Sequence, residues 1–311
     1  MKPYVVFVVG PTASGKTDLA VKLGKHFSSE VISADSMQIY RGMHIASAAP
    51  DYEEMQGVPH RLIEFLPYGA AFTVADYADT ARKEIDRVIA AGAVPVVAGG
   101  TGLYVTALTD NIKFFPVKTD FELRERLERE YDAAGGEEML SRLYKIDSDA
   151  AEKLEPGDKR RIVRAFEIYE TSGMTKSMQN AASKTEPPSF TPIMIGLSFK
   201  DREKLYERIN RRVDMMMEKG LLDEAKAAFE MKLKSGAAQA IGHKELFAVF
   251  TGEQTLEEAT EALKRSTRRY AKRQLTWFNN DSRVNWIYVD ESENVFADAL
   301  KIIEKEGKEN A

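Results

Sequence analysis

The run Gly10-Pro11-Thr12-Ala13-Ser14-Gly15-Lys16-Thr17 constrains this chain more than any other stretch. An apolar segment, Tyr4 to Val9, precedes it, and a helical pattern, Asp18 to Phe27, follows. Strand, glycine-rich loop, helix is the context in which GxxxxGK[ST] reads as a phosphate site. The glycines let the backbone curl so that several N–H groups converge on phosphate oxygens, and the next helix turns its positive end toward the same anion. Lys16 offers a point charge that bridges phosphates, and Thr17 offers a hydroxyl to Mg²⁺. The loop alone does not choose its phosphate. Nucleoside triphosphates such as ATP are the common ligands, but any diphosphate ester fits the same nest of amides.

Beyond the loop, short apolar runs alternate with helical patterns. Val31 to Ala34 reads as a strand ending at Asp35, Tyr77 to Ala91 as a helix stopped by Gly92, and Val94 to Ala98 as a buried strand ending in Gly99-Gly100-Thr101-Gly102. This order predicts a parallel sheet with helices on both faces, whose ligands sit beyond the carboxyl ends of the strands. Gly10, Asp35 and Gly99 should therefore share one rim. From Thr119 to about Ala182 the pattern turns charged and helical, and a polar stretch with prolines, Ser183 to Pro192, ends it. The fold class expected is α/β: a P-loop NTPase-like parallel sheet with flanking helices and an inserted all-helical lobe. The core would comprise 1–114 and 192–311, and the lobe 115–191. Ile193 to Leu197 returns to the sheet, Asp201 to Phe278 is helical, Val284 to Val289 is a late strand, and Val295 to Glu306 closes the chain before a frayed tail, Lys305 to Ala311.

Bulk composition narrows the setting. No apolar run of roughly 18 residues is present, which argues against a membrane span, and no signal-like segment opens the chain. There are no cysteines, so disulfides and thiolate chemistry are excluded and a cytoplasmic location is expected. The histidines, His26, His44, His60 and His243, are scattered without zinc-ligand spacing. Net charge is −5, which excludes blanket attraction to nucleic acid but allows a local basic face. Two such faces exist. Lys159-Arg160-Arg161 with Arg164 is one; Lys264-Arg265, Arg268-Arg269 and Lys272-Arg273 form the other.

Several residues have the right chemistry for a site. Asp35, at a strand tip beside the phosphate loop, reads equally as a general base or as a turn-capping carboxylate. Gln38 on the same loop has an amide able to pair with an adenine edge. Thr101, among three glycines in four residues, is placed to donate to a developing oxyanion or merely to cap the next helix. Arg208 and Arg212 are one helical turn apart and either close over a polyphosphate or form a solvated charged face. In Lys264 to Phe278, six basic residues share a helix with Tyr270, Trp277 and Phe278. Leu263, Tyr270 and Trp277 recur every seven residues as expected anchors to the core, leaving the basic side chains facing out toward nucleic-acid phosphates or simply toward water. No acidic residue ends the strand Val94 to Ala98, where many P-loop nucleotidases carry one.

Taken together, the chain resembles the tRNA dimethylallyltransferases. The matching segments are Gly10–Thr17, Asp35-Ser-Met-Gln-Ile-Tyr40, Gly99-Gly-Thr-Gly-Leu-Tyr104, Arg160-Arg-Ile-Val-Arg-Ala165, Arg208–Arg212, Gln239-Ala-Ile-Gly242 and Arg269-Tyr-Ala-Lys-Arg-Gln-Leu-Thr-Trp277. They run in family order over most of the chain. His243 departs from the pattern, in a peripheral segment where the family more often has Tyr. The resemblance implies transfer of a dimethylallyl group from dimethylallyl diphosphate to N6 of the adenine just 3′ of the tRNA anticodon, with release of pyrophosphate. It implies that Gly10, Pro11, Thr12, Ala13, Ser14, Gly15, Lys16, Thr17 and Arg208 hold the diphosphate, with Mg²⁺ on Thr17. Asp35 would take the N6 proton, Thr101 would bond the bridging oxygen, and Arg212 would neutralise the leaving group. The tRNA anticodon stem-loop would meet Asp35, Ser36, Met37, Gln38 and Thr101 at the adenine. It would meet Lys159, Arg160, Arg161, Ile162, Val163, Arg268, Arg269, Lys272 and Arg273 elsewhere. A monomer without membrane contact is expected. The alternatives are a P-loop small-molecule or nucleotide kinase and a non-catalytic RNA-binding module.

Overall fold

The computed structural model describes residues 2–114, 120–183, 186–232, 237 and 240–309. The expected start of the lobe at 115, Gln239 of the Gln239–Gly242 segment and the last two tail residues lie outside them. The chain divides into two compact units, Met1–Thr109 with Pro188–Ala311, and Asp110–Pro187. The parting points fall a few residues before the expected 115 and 191.

In the larger unit, β1 (Tyr4–Val9), β2 (Val31–Ser33), β3 (His60–Arg61), β4 (Val96–Gly99), β5 (Thr191–Ser198) and β6 (Val284–Tyr288) form one sheet in the order β3-β2-β4-β1-β5-β6. Every pairing is parallel. α1 (Lys16–His26), α2 (Tyr52–Met55), α3 (Val74–Ala90) and α4 (Gly102–Thr109) lie in the first half of this unit. The strands expected from sequence are all present. β3 was not anticipated, because two residues on a sheet edge carry no readable alternation.

The central strand shows why this architecture forms. Successive side chains of a strand point to opposite faces. Val5, Phe7 and Val9 enter one apolar cluster with Tyr77, Ile85, Tyr104 and Leu108, while Val6 and Val8 enter another with Leu19, Val21, Leu23, Ala299 and Ile303. Five of the six β1 residues, Val5 to Val9, are buried, as befits a strand covered on both sides. Register aligns Val9 with both Gly99 and Gly196, and Ser33 with Ala98. The loops after β1, β2 and β4 thus leave the sheet on the same rim, as the sequence predicts.

The smaller unit contains α5 (Phe121–Ala134), α6 (Gly136–Ile146), α7 (Ser148–Ala151), α8 (Lys159–Ser172) and α9 (Lys176–Ser183). Leu127, Met139, Leu143, Ala151, Ile162, Val163 and Phe166 make its core. The Glu167 carboxylate is wholly buried there, bonded by Arg124 and by Arg164 at 2.8 Å each. Burial pushes its pKa up, but the two guanidinium hydrogen bonds outweigh that and hold it below the usual carboxylate range.

After β5 follow α10 (Arg202–Glu218), α11 (Leu221–Glu230), α12 (Phe247–Phe250), α13 (Leu256–Asn279) and α14 (Val295–Glu309). A reciprocal capping box, Thr255 with Glu258, starts α13. The expected anchors of α13 are only partly right. Leu263 is buried, but Tyr270 is half-buried and Trp277 is 45 % exposed. Buried beside Leu263 are Ala259, Ala271, Gln274 and Phe278. A straight helix drifts relative to a seven-residue interval, so Tyr270 and Trp277 rotate off the core-facing line.

Candidate active site

The glycine-rich loop is built by backbone geometry. Gly10 has φ +137°, and a Cβ there would fall 2.3 Å from the Leu197 carbonyl oxygen. Ala13, without glycine's freedom, still adopts φ 64°, a conformation that costs on the order of 1–3 kcal/mol and clusters at ligand sites. Its carbonyl accepts a 3.0 Å hydrogen bond from Arg208 Nε, so α10 braces the loop. The Ser14 hydroxyl is fully buried with no hydrogen-bond partner among the described residues. Such an orphan costs about 1–3 kcal/mol until a ligand satisfies it.

Positive charge gathers on this loop. Lys16 donates to the Pro11 carbonyl at 2.7 Å. Burial, then repulsion from Arg212, pulls its pKa down to about 7 against the opposing pull of Asp35. Arg212 is lowered chiefly by burial and also by Arg208, with Glu54 and Asp35 acting the other way. Cations that depress one another's pKa form a site that favours an anion. Arg212 is half-buried and so is not part of a solvated face, while Arg208 is exposed. Thr17 stands in the first turn of α1, half-buried. Among the described residues no cluster of three or more His, Asp or Glu side chains is placed to hold a metal. A Mg²⁺ fits only as an ion bound mainly to phosphate oxygens and water, the mode this cation commonly takes, with the Thr17 hydroxyl as protein ligand.

The turn-capping reading of Asp35 is met. Its Oδ1 accepts the Met37 amide at 2.8 Å and the Gln38 amide at 3.4 Å, forming a turn. Its second oxygen accepts no hydrogen bond among the described residues. Thr101 is stitched to the same loop: its amide donates to Ala34 O at 3.1 Å, and its hydroxyl accepts from Ser36 N at 3.0 Å and donates to Ser36 Oγ at 3.3 Å. Asp35 and Thr101 are therefore neighbours. Gln38 is already engaged, accepting from Ser33 Oγ at 2.8 Å and donating to Ala48 O at 3.2 Å, so its amide faces its own loop. Met37 and Ser36 are half-buried beside it.

Three features of the site were not anticipated. Gln274 of α13 accepts from the Thr12 amide at 2.8 Å and donates to Gly100 O at 3.0 Å, tying the phosphate loop to the Thr101 loop. The Thr12 N–H is thereby engaged by protein. Tyr270, one turn earlier, is half-buried. Burial first and the Asp35 charge next push its phenol pKa up. His243, expected to be peripheral, is wholly buried. It bonds Tyr68 at 3.1 Å and Glu224 at 2.9 Å, and Glu224 accepts from the amides of Ile45 and Ala46. Gln274 and Tyr270 lie within the segment Arg269–Trp277 and His243 follows Gly242, so the segments are readable in sequence while these contacts are not.

The two basic faces differ from expectation in detail. On α8, Ile162 and Val163 are core residues of the smaller unit, so their side chains are closed to an RNA. Lys159 pairs with Asp132 at 2.5 Å and Arg161 with Asp158 at 3.1 Å, while Arg160 is exposed. On α13, Arg269, Lys272 and Arg273 are exposed. Arg268 is held by Asn210 Oδ1 at 2.5 Å, and Lys264 by Asp214 and Glu261.

Comparison with known proteins agrees with this geometry. A family model described as "IPP transferase" matches residues 38–281. A protein of Acetivibrio thermocellus named tRNA dimethylallyltransferase is 45% identical, with 92% of each chain covered. One of Bacillus subtilis with the same name is 43% identical, over 92% of this chain and 90% of that one. The crystal structure of a full-length tRNA isopentenylpyrophosphate transferase from Bacillus halodurans superposes with TM-score 0.72 at 39% identity, covering 100% of this chain and 99% of that one. A eukaryotic dimethylallyltransferase acting on tRNA superposes with TM-score 0.80 at 26% identity, over 99% and 80% of the two chains.

Proposed function

The chain belongs to the IPP transferase family and is a prenyl-transferring enzyme of tRNA; from that premise we propose that it moves a dimethylallyl group from dimethylallyl diphosphate to N6 of the adenine 3′ of the anticodon. The observation that carries this reading is the pairing of an anion cradle with a half-free carboxylate on the same rim, without an acid at the end of β4. β4 runs into Gly99-Gly100-Thr101. That arrangement suits a diphosphate that leaves more than a nucleotide that donates phosphate, and the named relatives lend the kinase alternative no support.

The chemistry follows from charge. The bond between C1 of the prenyl group and the bridging oxygen breaks, and its electron pair departs on pyrophosphate. The N6 lone pair forms the new C–N bond, and the N6 proton passes to the second oxygen of Asp35. An allylic centre spreads its developing positive charge by resonance, so the main barrier is separating that charge from the leaving group. Preorganised donors address this. Lys16, Arg212, Arg208, the loop amides after Thr12 and the Ser14 hydroxyl hold the diphosphate, and Thr101 turns its hydroxyl proton from Ser36 Oγ to the bridging oxygen. The Thr17 hydroxyl would hold a Mg²⁺, which when bound would add neutralising charge at the diphosphate. The exocyclic amine is a weak nucleophile until its proton is taken, hence the base. The adenine leaves its stack to reach the rim, where Ser36 and Met37 flank it. Arg160 on α8 and Arg269, Lys272 and Arg273 on α13 meet RNA phosphates. The enzyme acts as a monomer.

The test is incubation with tRNA, dimethylallyl diphosphate and Mg²⁺, followed by mass spectrometry of anticodon-loop nucleosides. A dimethylallyl mass increment on the adenine 3′ of the anticodon is expected. Modification elsewhere, or turnover that requires ATP in place of the prenyl donor, overturns the assignment.

A further inference from the structure

Gln274 is a buried polar side chain that the chemistry above leaves without a task. It is 5 % exposed and belongs to α13. Its amide spans two loops far apart in sequence: Oε1 accepts from Thr12 N at 2.8 Å, and Nε2 donates to Gly100 O at 3.0 Å. The fit leaves no slack, since a Cβ on Gly100 would fall 2.0 Å from Nε2. One loop carries the diphosphate cradle; the other carries Thr101, the next residue after Gly100. The sheet fixes only the roots of these loops, through the pairing of Val9 with Gly99. Beyond the sheet, among the described residues, Gln274 is the side chain that bonds both.

A planar amide held at both ends sets a distance. Its two hydrogen bonds have narrow ranges of length and angle. The strut therefore fixes how far the cradle stands from the Thr101 hydroxyl. We propose that Gln274 is a positioning residue for prenyl transfer, holding the Thr101 loop at the separation from the phosphate loop at which the Thr101 hydroxyl meets the bridging oxygen. Thr101 cannot hold that separation itself, because its own ties run to Ala34 and Ser36 on the β2 loop. Misplacement of about 1 Å in such a donor costs on the order of 10²-fold in rate. The inference rests on Thr101 acting at the leaving oxygen, as proposed above.

A strut between cradle and donor makes a specific demand on kinetics. The cradle grips a diphosphate through its own amides, Lys16 and the arginines, so loss of the strut leaves binding nearly intact and slows the chemical step. The test measures single-turnover prenyl transfer and pyrophosphate affinity for Gln274→Ala, Thr101→Ala and the double variant. Gln274→Met, of similar volume and without hydrogen-bonding capacity, guards against collapse of a cavity. Expected are a fall of about 10- to 100-fold in the single-turnover rate for either Gln274 variant, a change under about threefold in pyrophosphate affinity, and less than about twofold further loss when Gln274→Ala is added to Thr101→Ala. Equal fold-losses in the two backgrounds overturn the strut while leaving the role of Thr101 standing. Loss of pyrophosphate affinity as large as the loss of rate also overturns it, since Gln274 would then shape the cradle alone. A Thr101→Ala enzyme that transfers at full rate removes the reading of Thr101 and the inference with it.

Discussion

Lys16 is the residue on which ligand and solvent conditions converge. Its pKa, pulled to about 7 by burial and then by Arg212, lies below that of the unfolded chain. Between these values the unfolded state binds more protons than the folded one, so Lys16 lowers stability at neutral pH, and its penalty fades as pH rises through about 7. Anion binding works the other way, because it needs the charged form. Pyrophosphate affinity should fall by up to about tenfold per pH unit above pH 7 through this group. Calorimetry across pH, with Lys16→Met as the reference that lacks this component, checks it. At Asp35 the expectation concerns rate. Asp35→Asn keeps an oxygen for the Met37 amide but cannot take a proton. Transfer should fall by about 10²- to 10⁴-fold with tRNA and pyrophosphate affinity nearly unchanged, as binding and single-turnover assays would read. Asp35, Thr101 and Lys16 were legible in sequence because each follows a strand or a glycine turn whose position the pattern reveals. Gln274, Tyr270 and Glu224 were not. Each sits on a helix whose other polar residues look the same, and only the contacts made in the folded chain distinguish it.

Among the elements, α8 shows how a charged sequence hides a structural part. Lys159 to Val163 reads as an RNA-facing segment, yet two of its five residues are core, and Glu167 further along is buried between Arg124 and Arg164. Removing the carboxylate leaves two guanidinium groups without their shared partner. Because both arginines are about 40% exposed and rehydrate, the cost falls at the low end for a broken buried pair, about 3 kcal/mol. Glu167→Ala should therefore speed hydrogen exchange of the α5 and α8 amides in the intact chain. Acid should act similarly: the folded pKa is depressed, so the stabilisation is full above the unfolded value and disappears as pH falls through the folded one. The seven-residue spacing on α13 misled for a related reason. Spacing reports which positions share a helix face, but the partner surface decides which of them are covered, and the sheet rim receives Gln274 and Phe278 in place of Trp277.

For the whole molecule, charge is distributed unevenly. A chain of net charge −5 repels a polyanion on average, and in the proposed function the exposed cations of α8 and α13 offset that repulsion. Affinity should drop steeply with salt, and Arg269→Ala with Lys272→Ala should shallow the plot of log K against log salt by about one unit for each phosphate no longer neutralised, while pyrophosphate affinity stays put. Filter binding over a salt series measures both. The sheet order was not readable from the pattern, since β1, first in sequence, sits between β4 and β5. That placement governs how a growing chain matures. As residues leave the ribosome, β1 can find β4 early, but its other edge stays bare until β5 emerges some ninety positions later. The arginines of α10 and the amide of α13 arrive later still. A transcript cut short in between yields a polypeptide with an open seam of valine and phenylalanine and no competence for either ligand, the kind of product that cellular proteases recognise and remove.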